Sequence, residues 1–141
     1  MKTFKIFLES ISYEESIDGD RGSRYYSITH SSSIGPHTLD VTHSISTVRN
    51  KKHIDTDFSV DDSLTSRGDK DPSHSRRILT TVRKSVHDII DREKPHRINF
   101  HGNTEDKHNT YGIFAKSLAR KYGGKYTLNG DMHSVDFKWS K

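Results

Sequence analysis

The sequence predicts an α/β domain in which a mostly antiparallel sheet packs on two main amphipathic helices. Three observations carry this. Ile78, Leu79, Val82, Val86, Ile89 and Ile90 recur at helical spacing, as do Tyr111, Phe114, Ala115, Leu118 and Tyr122. Over residues 38–60 apolar and polar positions alternate instead: Leu39, Val41, His43 and Ile45 precede a polar "RNKK", and Ile54, Thr56, Phe58 and Val60 follow it. Near the C-terminus, Asn129-Gly130 is a strong hairpin signal between two short β-rich runs.

The elements follow in chain order. Phe4, Phe7, Leu8 and Ile11 favour a short N-terminal helix, although Phe4, Ile6 and Leu8 also alternate as a strand would. "IDGDRGSR" (17–24) reads as a loop from its Gly and Asp. "RYYSITHSS" (24–32) is β-rich and is broken by "SIGP". "TLDVTHSISTV" (38–48) and "HIDTDFSV" (53–60) flank the "RNKK" turn, forming an antiparallel meander with one wet face. Residues 61–76 form a polar loop of a length that is often functional. A helix over 77–93 follows, with Pro72 and Ser73 as start signals and Pro95 as its stop. Ile98 and Phe100 mark a short strand. A second helix runs from Glu105 to Tyr122, with Lys116, Arg120 and Lys121 on its exposed face and Gly123-Gly124 at its end. "KYTL" and "HSVDFKW" close the chain as a hairpin.

Composition narrows the classes. A length of 141 residues fits a single domain, 1–141, divisible into an N-terminal helix and strand region (1–52) and a strand-helix-strand-helix-hairpin half (53–141). An apolar fraction of 29% and a mean hydropathy of −0.90 imply a thin core, or help from a partner surface. The net charge of +4 arises from interspersed signs, which is a mildly basic surface and not a polycation. The absence of cysteine excludes disulfides, thiolate catalysis and Cys-type zinc sites. No apolar run is long enough for a signal peptide or a membrane span, so a soluble protein without membrane contact is expected.

Several constellations invite a chemical reading. His96, His101 and His108 lie near Glu105 and Asp106, but their spacing fits no standard metal pattern, and no metal is expected. His30-Ser31-Ser32 and His108-Asn109-Thr110 fit the paired H-x-[ST] motif of a two-histidine phosphoesterase, but the second falls in a predicted helix. Asp18/Asp20 and Asp55/Asp57 are carboxylate pairs, the latter on the outward face of a strand and read as a solvated edge. Nucleophile-elbow, Walker and dinucleotide-binding motifs are absent. Arg120, Lys121 and Lys125, with the ring of Tyr126, would suit nucleic-acid contact; the alternative is a solvated helix end beside core tyrosines. The stretch "HGNTEDKHNT" reads as the polar connection at the carboxyl end of a strand, where α/β folds place ligands.

In element order, "HIDTDFSV", the loop 61–76, the helix 77–93, "RINF", the helix 105–122, "GGKY" and the closing hairpin resemble the acyl-CoA-binding half of the GNAT acyltransferase superfamily over residues 53–139. The resemblance implies a GNAT-like fold. It also implies acetyl-CoA as cofactor, held by Ser73, His74, Ser75, Arg76 and Arg77. Tyr111 would then be the acid that protonates the departing thiolate, and Glu105 or a water the base. The family's loop reads [QR]-x-x-G-x-[GA], whereas "DPSHSRR" has no glycine to let the backbone approach a pyrophosphate. The same half is similar to small tailed-phage proteins through Phe58-Ser59-Val60, "ILTTV", Pro95 with "INF", and "KHNTYGIFAKSLARKYGGKY". That likeness implies the cytoplasm of an infected bacterial host, or a virion, and a protein partner from either, with a homo-oligomer as a further option.

The expectation from these readings is a phage-encoded, non-catalytic binding or virion-associated protein without a cofactor. The alternatives are an acyl-CoA-dependent N-acyltransferase using acetyl-CoA and a nucleic-acid-binding accessory protein.

Overall fold

The computed structural model describes residues 13–61, 72–102 and 104–139. Its elements are β1 (Glu14–Asp18), β2 (Tyr25–Ile34), β3 (His37–Val48), β4 (Lys51–Val60), α1 (Pro72–Glu93), β5 (Arg97–His101), α2 (Glu105–Tyr122), β6 (Lys125–Asn129) and β7 (Met132–Asp136). The strands form one seven-stranded sheet in the order β1-β2-β3-β4-β5-β7-β6. Every neighbouring pair is antiparallel except β4 and β5, which run parallel.

Parallel neighbours need a crossover, and α1 supplies it. β5 and β6 both run antiparallel to β7, so α2 is a second crossover between like-directed strands. Two right-handed crossovers that advance in the same direction place both helices on one face of the sheet. α1 lies over β2, β3 and β4, and α2 lies over β5, β7 and β6.

The core is the layer between the helices and this face. Tyr26, Ile28, Val41, Ile45, Ile54, Ile98, Phe100 and Val135 meet Val82, Val86, Ile89 and Ile90 of α1 and Tyr111, Phe114 and Leu118 of α2. The opposite face carries Ser27, Thr29, Thr42, Ser44, Asp55 and Asn99, joined by short polar contacts such as Ser31 Oγ to Asp40 Oδ1 at 2.5 Å. A sheet with a core on one side only needs few apolar residues. That accounts for the low hydropathy and agrees with the expected wet face.

Local signals set the boundaries. Arg49 and Asn50 have φ of 53° and 65°, a two-residue turn whose twist suits a hairpin, so β4 already begins at Lys51 within "RNKK". Thr104 caps α2 by accepting from the Lys107 amide, and Gly123, at φ 70°, closes the helix in the left-handed region. Buried Glu93, at the end of α1, accepts from Tyr26, from Lys52 at 2.9 Å and from Arg21 at 3.0 Å, tying α1 to β2, β4 and the β1–β2 loop.

Four sequence expectations are corrected. Residues 17–18 belong to strand β1, not to a loop; the strand is exposed throughout and so has no apolar alternation to announce it. Residues 72–76 open α1 instead of ending the loop before it. The connection after β5 is shorter than "HGNTEDKHNT", because helix α2 begins at Glu105. Leu79 is 39% exposed, at the rim of its stripe. The expected N-terminal helix and most of the loop 61–76 lie outside the described residues. No helix among the described residues is long and apolar enough to cross a membrane.

Candidate functional site

The parallel strands part company at one end. β4 pairs with β5 only from His53 to Thr56, against Arg97 to Phe100, yet continues to Val60. Beyond Thr56 an opening lies under the first turns of both helices. It forms a cleft of about 80 Å³ lined by Phe58, Ser75, Ile78, Thr104, Lys107 and Thr110.

Two side chains from α2 occupy the opening. Lys107 is 4% exposed; its Nζ donates to Asp57 Oδ1 at 2.8 Å and to the Phe58 carbonyl at 2.7 Å, over the Phe58 ring. Tyr111 is fully buried between the rings of Phe58 and Phe100, and its hydroxyl donates to the same Asp57 Oδ1 at 2.7 Å. Burial, and then the Asp57 charge, drive the phenol pKa far above its ordinary value. Tyr111 therefore keeps its proton. Asp55 is exposed as expected, whereas Asp57, half open to water, also takes both donors through its Oδ1.

The other sequence candidates scatter. Glu105 is exposed on the first turn of α2, on a different side of the helix from buried Tyr111. Ser73, His74, Ser75, Arg76 and Arg77 form the first turns of α1; Ser75 reaches the cleft, while His74 packs beside the His37 ring. Arg120, Lys121 and Lys125 are exposed around the α2–β6 connection. The Tyr126 hydroxyl bonds His133 Nδ1 at 2.7 Å, and its ring stacks on the His133 ring under Lys116. That ring is already engaged within the chain.

The three histidines separate as well. His96 is exposed before β5, His101 lies 3.9 Å from Asp55, and His108 Nδ1 is 3.0 Å from His133 Nε2. Among the described residues no group of three His, Asp or Glu is placed to hold a metal. His30 and His108, of the paired motif, have wholly different partners.

A second polar system joins His43 and Thr56, which the alternation places among apolar positions of β3 and β4, to His30; its linkage through Ser85 and Glu15 has no sequence signal. His30 Nε2 lies 2.7 Å from Glu15, and its Nδ1 lies 2.6 Å from Ser85 Oγ. Ser85 Oγ is also 2.7 Å from His43 Nε2, and His43 Nδ1 is 2.8 Å from Thr56 Oγ1. One arrangement of protons satisfies the chain: Thr56 donates to His43, His43 to Ser85, Ser85 to His30, and His30 to Glu15. Burial lowers both histidine pKa values, that of His43 to about 3, so both rings are neutral. Arg92 foremost, then His30, holds the Glu15 carboxyl at about 2. The Glu-His-Ser order resembles a nucleophilic triad, but Ser85 is wholly buried in the face of α1 and no substrate reaches it.

The fold and cleft define a two-layer α/β protein with a polar open sheet face and a side-chain-filled opening between two parallel strands. No family model matches the chain, and no curated protein matches its sequence.

Proposed function

We propose that this chain is a non-catalytic binding protein built on a GNAT-type scaffold. The carrying observation is the filling of the opening between β4 and β5 by Lys107 and Tyr111, both anchored on Asp57. An acyl-CoA lying against the start of α1 would meet a cleft of about 80 Å³, against roughly 300–1,000 Å³ for ordinary small-molecule pockets. Ser73, His74, Ser75, Arg76 and Arg77 offer no glycine where a pyrophosphate would need close backbone approach. The element order from β4 to β7 supports the scaffold reading. The likeness to small tailed-phage proteins supports a virion or host protein as the partner.

The test is thermal unfolding with and without acetyl-CoA. A ligand at about 100 times its dissociation constant stabilises a native protein by about 2.7 kcal/mol, several degrees for a domain of this size. The expected outcome is no shift at millimolar acetyl-CoA. A saturable shift would overturn the reading in favour of an acyltransferase. That second reading has one observation behind it: the Tyr111 hydroxyl, protonated and bonded to Asp57 at 2.7 Å, lies beside the opening, although its raised pKa makes it a weak acid. It predicts that Tyr111→Phe abolishes acetyl transfer while acetyl-CoA still binds.

A further inference from the structure

Among the described residues the sheet ends in two edge strands, β1 and β6, each five residues long. Neither strand contains proline, and each pairs residue for residue with its inner neighbour. Soluble proteins blunt such edges with short strands, charged side chains, a proline, a bulge or a covering segment; these two carry short length and charge but no proline or bulge.

Backbone alternation fixes which peptide groups face outward. The Thr47 amide donates to the Arg24 carbonyl, and the Phe137 amide donates to the His96 carbonyl. In an antiparallel ladder, hydrogen-bonded pairs recur at every second residue. Followed through the observed registers, the peptide groups of Glu14, Ser16 and Asp18 turn inward to β2, and those of Glu15 and Ile17 turn outward. Likewise Lys125, Thr127 and Asn129 turn inward to β7, while Tyr126 and Leu128 turn outward.

The two edges complement each other. They run in opposite directions within the sheet, so a second copy in the same orientation presents its β1 antiparallel to β6. In the register of full overlap Tyr126 opposes Ile17 and Leu128 opposes Glu15, and the outward peptide groups of both strands meet. The same register sets Lys125 against Asp18, Thr127 against Ser16 and Asn129 against Glu14. The side-chain faces also agree. Ile17 pairs with Ile28, and Tyr126 pairs with Val135, so both lie on the helix-bearing face. Ile17 is 41% and Leu128 48% exposed, an apolar residue waiting at each edge. The β1 edge is acidic through Glu14 and Asp18, Glu15 being paired with Arg92; the β6 edge carries Lys125, after Arg120 and Lys121 in the last turn of α2. Two β1 edges meeting each other would oppose like charges.

We propose that the partner of these edges is a second copy of this chain: β6 of one molecule adds antiparallel to β1 of the next, continuing the sheet. The contact uses different strands on its two sides, so each addition leaves a fresh edge, and sheet twist makes the product an open helical assembly. The proposal is independent of what the cleft binds.

Sedimentation velocity over a rising concentration series tests it. The wild-type chain is expected to gain mass progressively toward millimolar concentration, and less so at high salt. Asp18→Lys and Lys125→Glu each set like charges opposite one another, so each variant alone is expected to stay monomeric. Mixing the two variants restores complementary pairs and should restore assembly. A second readout uses the lack of native cysteine. Ser16→Cys and Thr127→Cys, oxidised together, should cross-link only unlike variants, because those positions oppose each other without a mutual hydrogen bond. A wild-type chain monomeric at millimolar concentration overturns the proposal. So does assembly that is indifferent to both charge reversals, or cross-linking between like variants.

Discussion

Asp57 binds the β4 end to α2 with one carboxylate oxygen, and its two donors respond differently to substitution. Asp57→Ala leaves the Lys107 ammonium buried without its counter-charge, and is expected to cost about 3 kcal/mol in urea unfolding. Lys107→Met removes the charge and keeps the volume, while Asp57, half open to water, stays solvated; its cost should be below about 1.5 kcal/mol. The histidine chain makes a pH prediction. The pKa of His43 is about 3 in the folded protein against 6.5 in the open chain, so below pH 6.5 the unfolded state binds the extra proton first. Stability is therefore full above that pH and falls as acid is added, with His30, His87 and His133 acting in the same direction. His43→Gln has no proton to gain, and is expected to flatten the slope of unfolding free energy against pH between about 6 and 4, although it lowers stability overall. An unchanged slope would show that His43 is not the titrating group.

At the scale of elements, turns and caps carry the local stability. Thr104→Ala should destabilise α2 by about 1 kcal/mol through loss of its cap. Gly123 has open space around a hypothetical Cβ but sits at φ 70°, so Gly123→Ala should cost about 1 kcal/mol through conformation alone. The β3–β4 turn runs the other way. Asn50 holds φ 65° without being glycine, and Asn50→Gly is expected to stabilise by up to about 1 kcal/mol, read as a higher denaturation midpoint at constant slope. The glycine stop of α2 and the hairpin turns were readable in the sequence because each depends on residues within a few positions; the Thr104 cap was not singled out. β1 was not readable. An exposed edge strand has no buried face, hence no alternation, and its existence depends on the partner β2.

For the whole molecule, the parallel β4–β5 pair is the organising feature. With the like-directed β5 and β6 it brings both helices to one face, leaves the other face polar, and creates the opening that Lys107 and Tyr111 fill. The lone tryptophan reports on the opposite end of the sheet. Trp139 Nε1 donates to the Pro95 carbonyl at 2.6 Å and its ring stacks on Phe137, so its fluorescence should change with global unfolding at the same midpoint as circular dichroism. Separate midpoints would mean that this end opens before the sheet does.

The sequence by itself determined the two helices, the faces of β3 and β4 and the hairpin turns. Those follow from periodicity, capping and turn chemistry, which act between neighbours along the chain. Tertiary structure alone decided that Asp57 meets Lys107 and Tyr111, that His30 and His43 share Ser85, and that an acidic strand and a basic strand form the two sheet edges. These pairings join residues tens of positions apart. They are selected by which side chains fit one buried space or one ladder, and spacing along the chain carries no record of that fit.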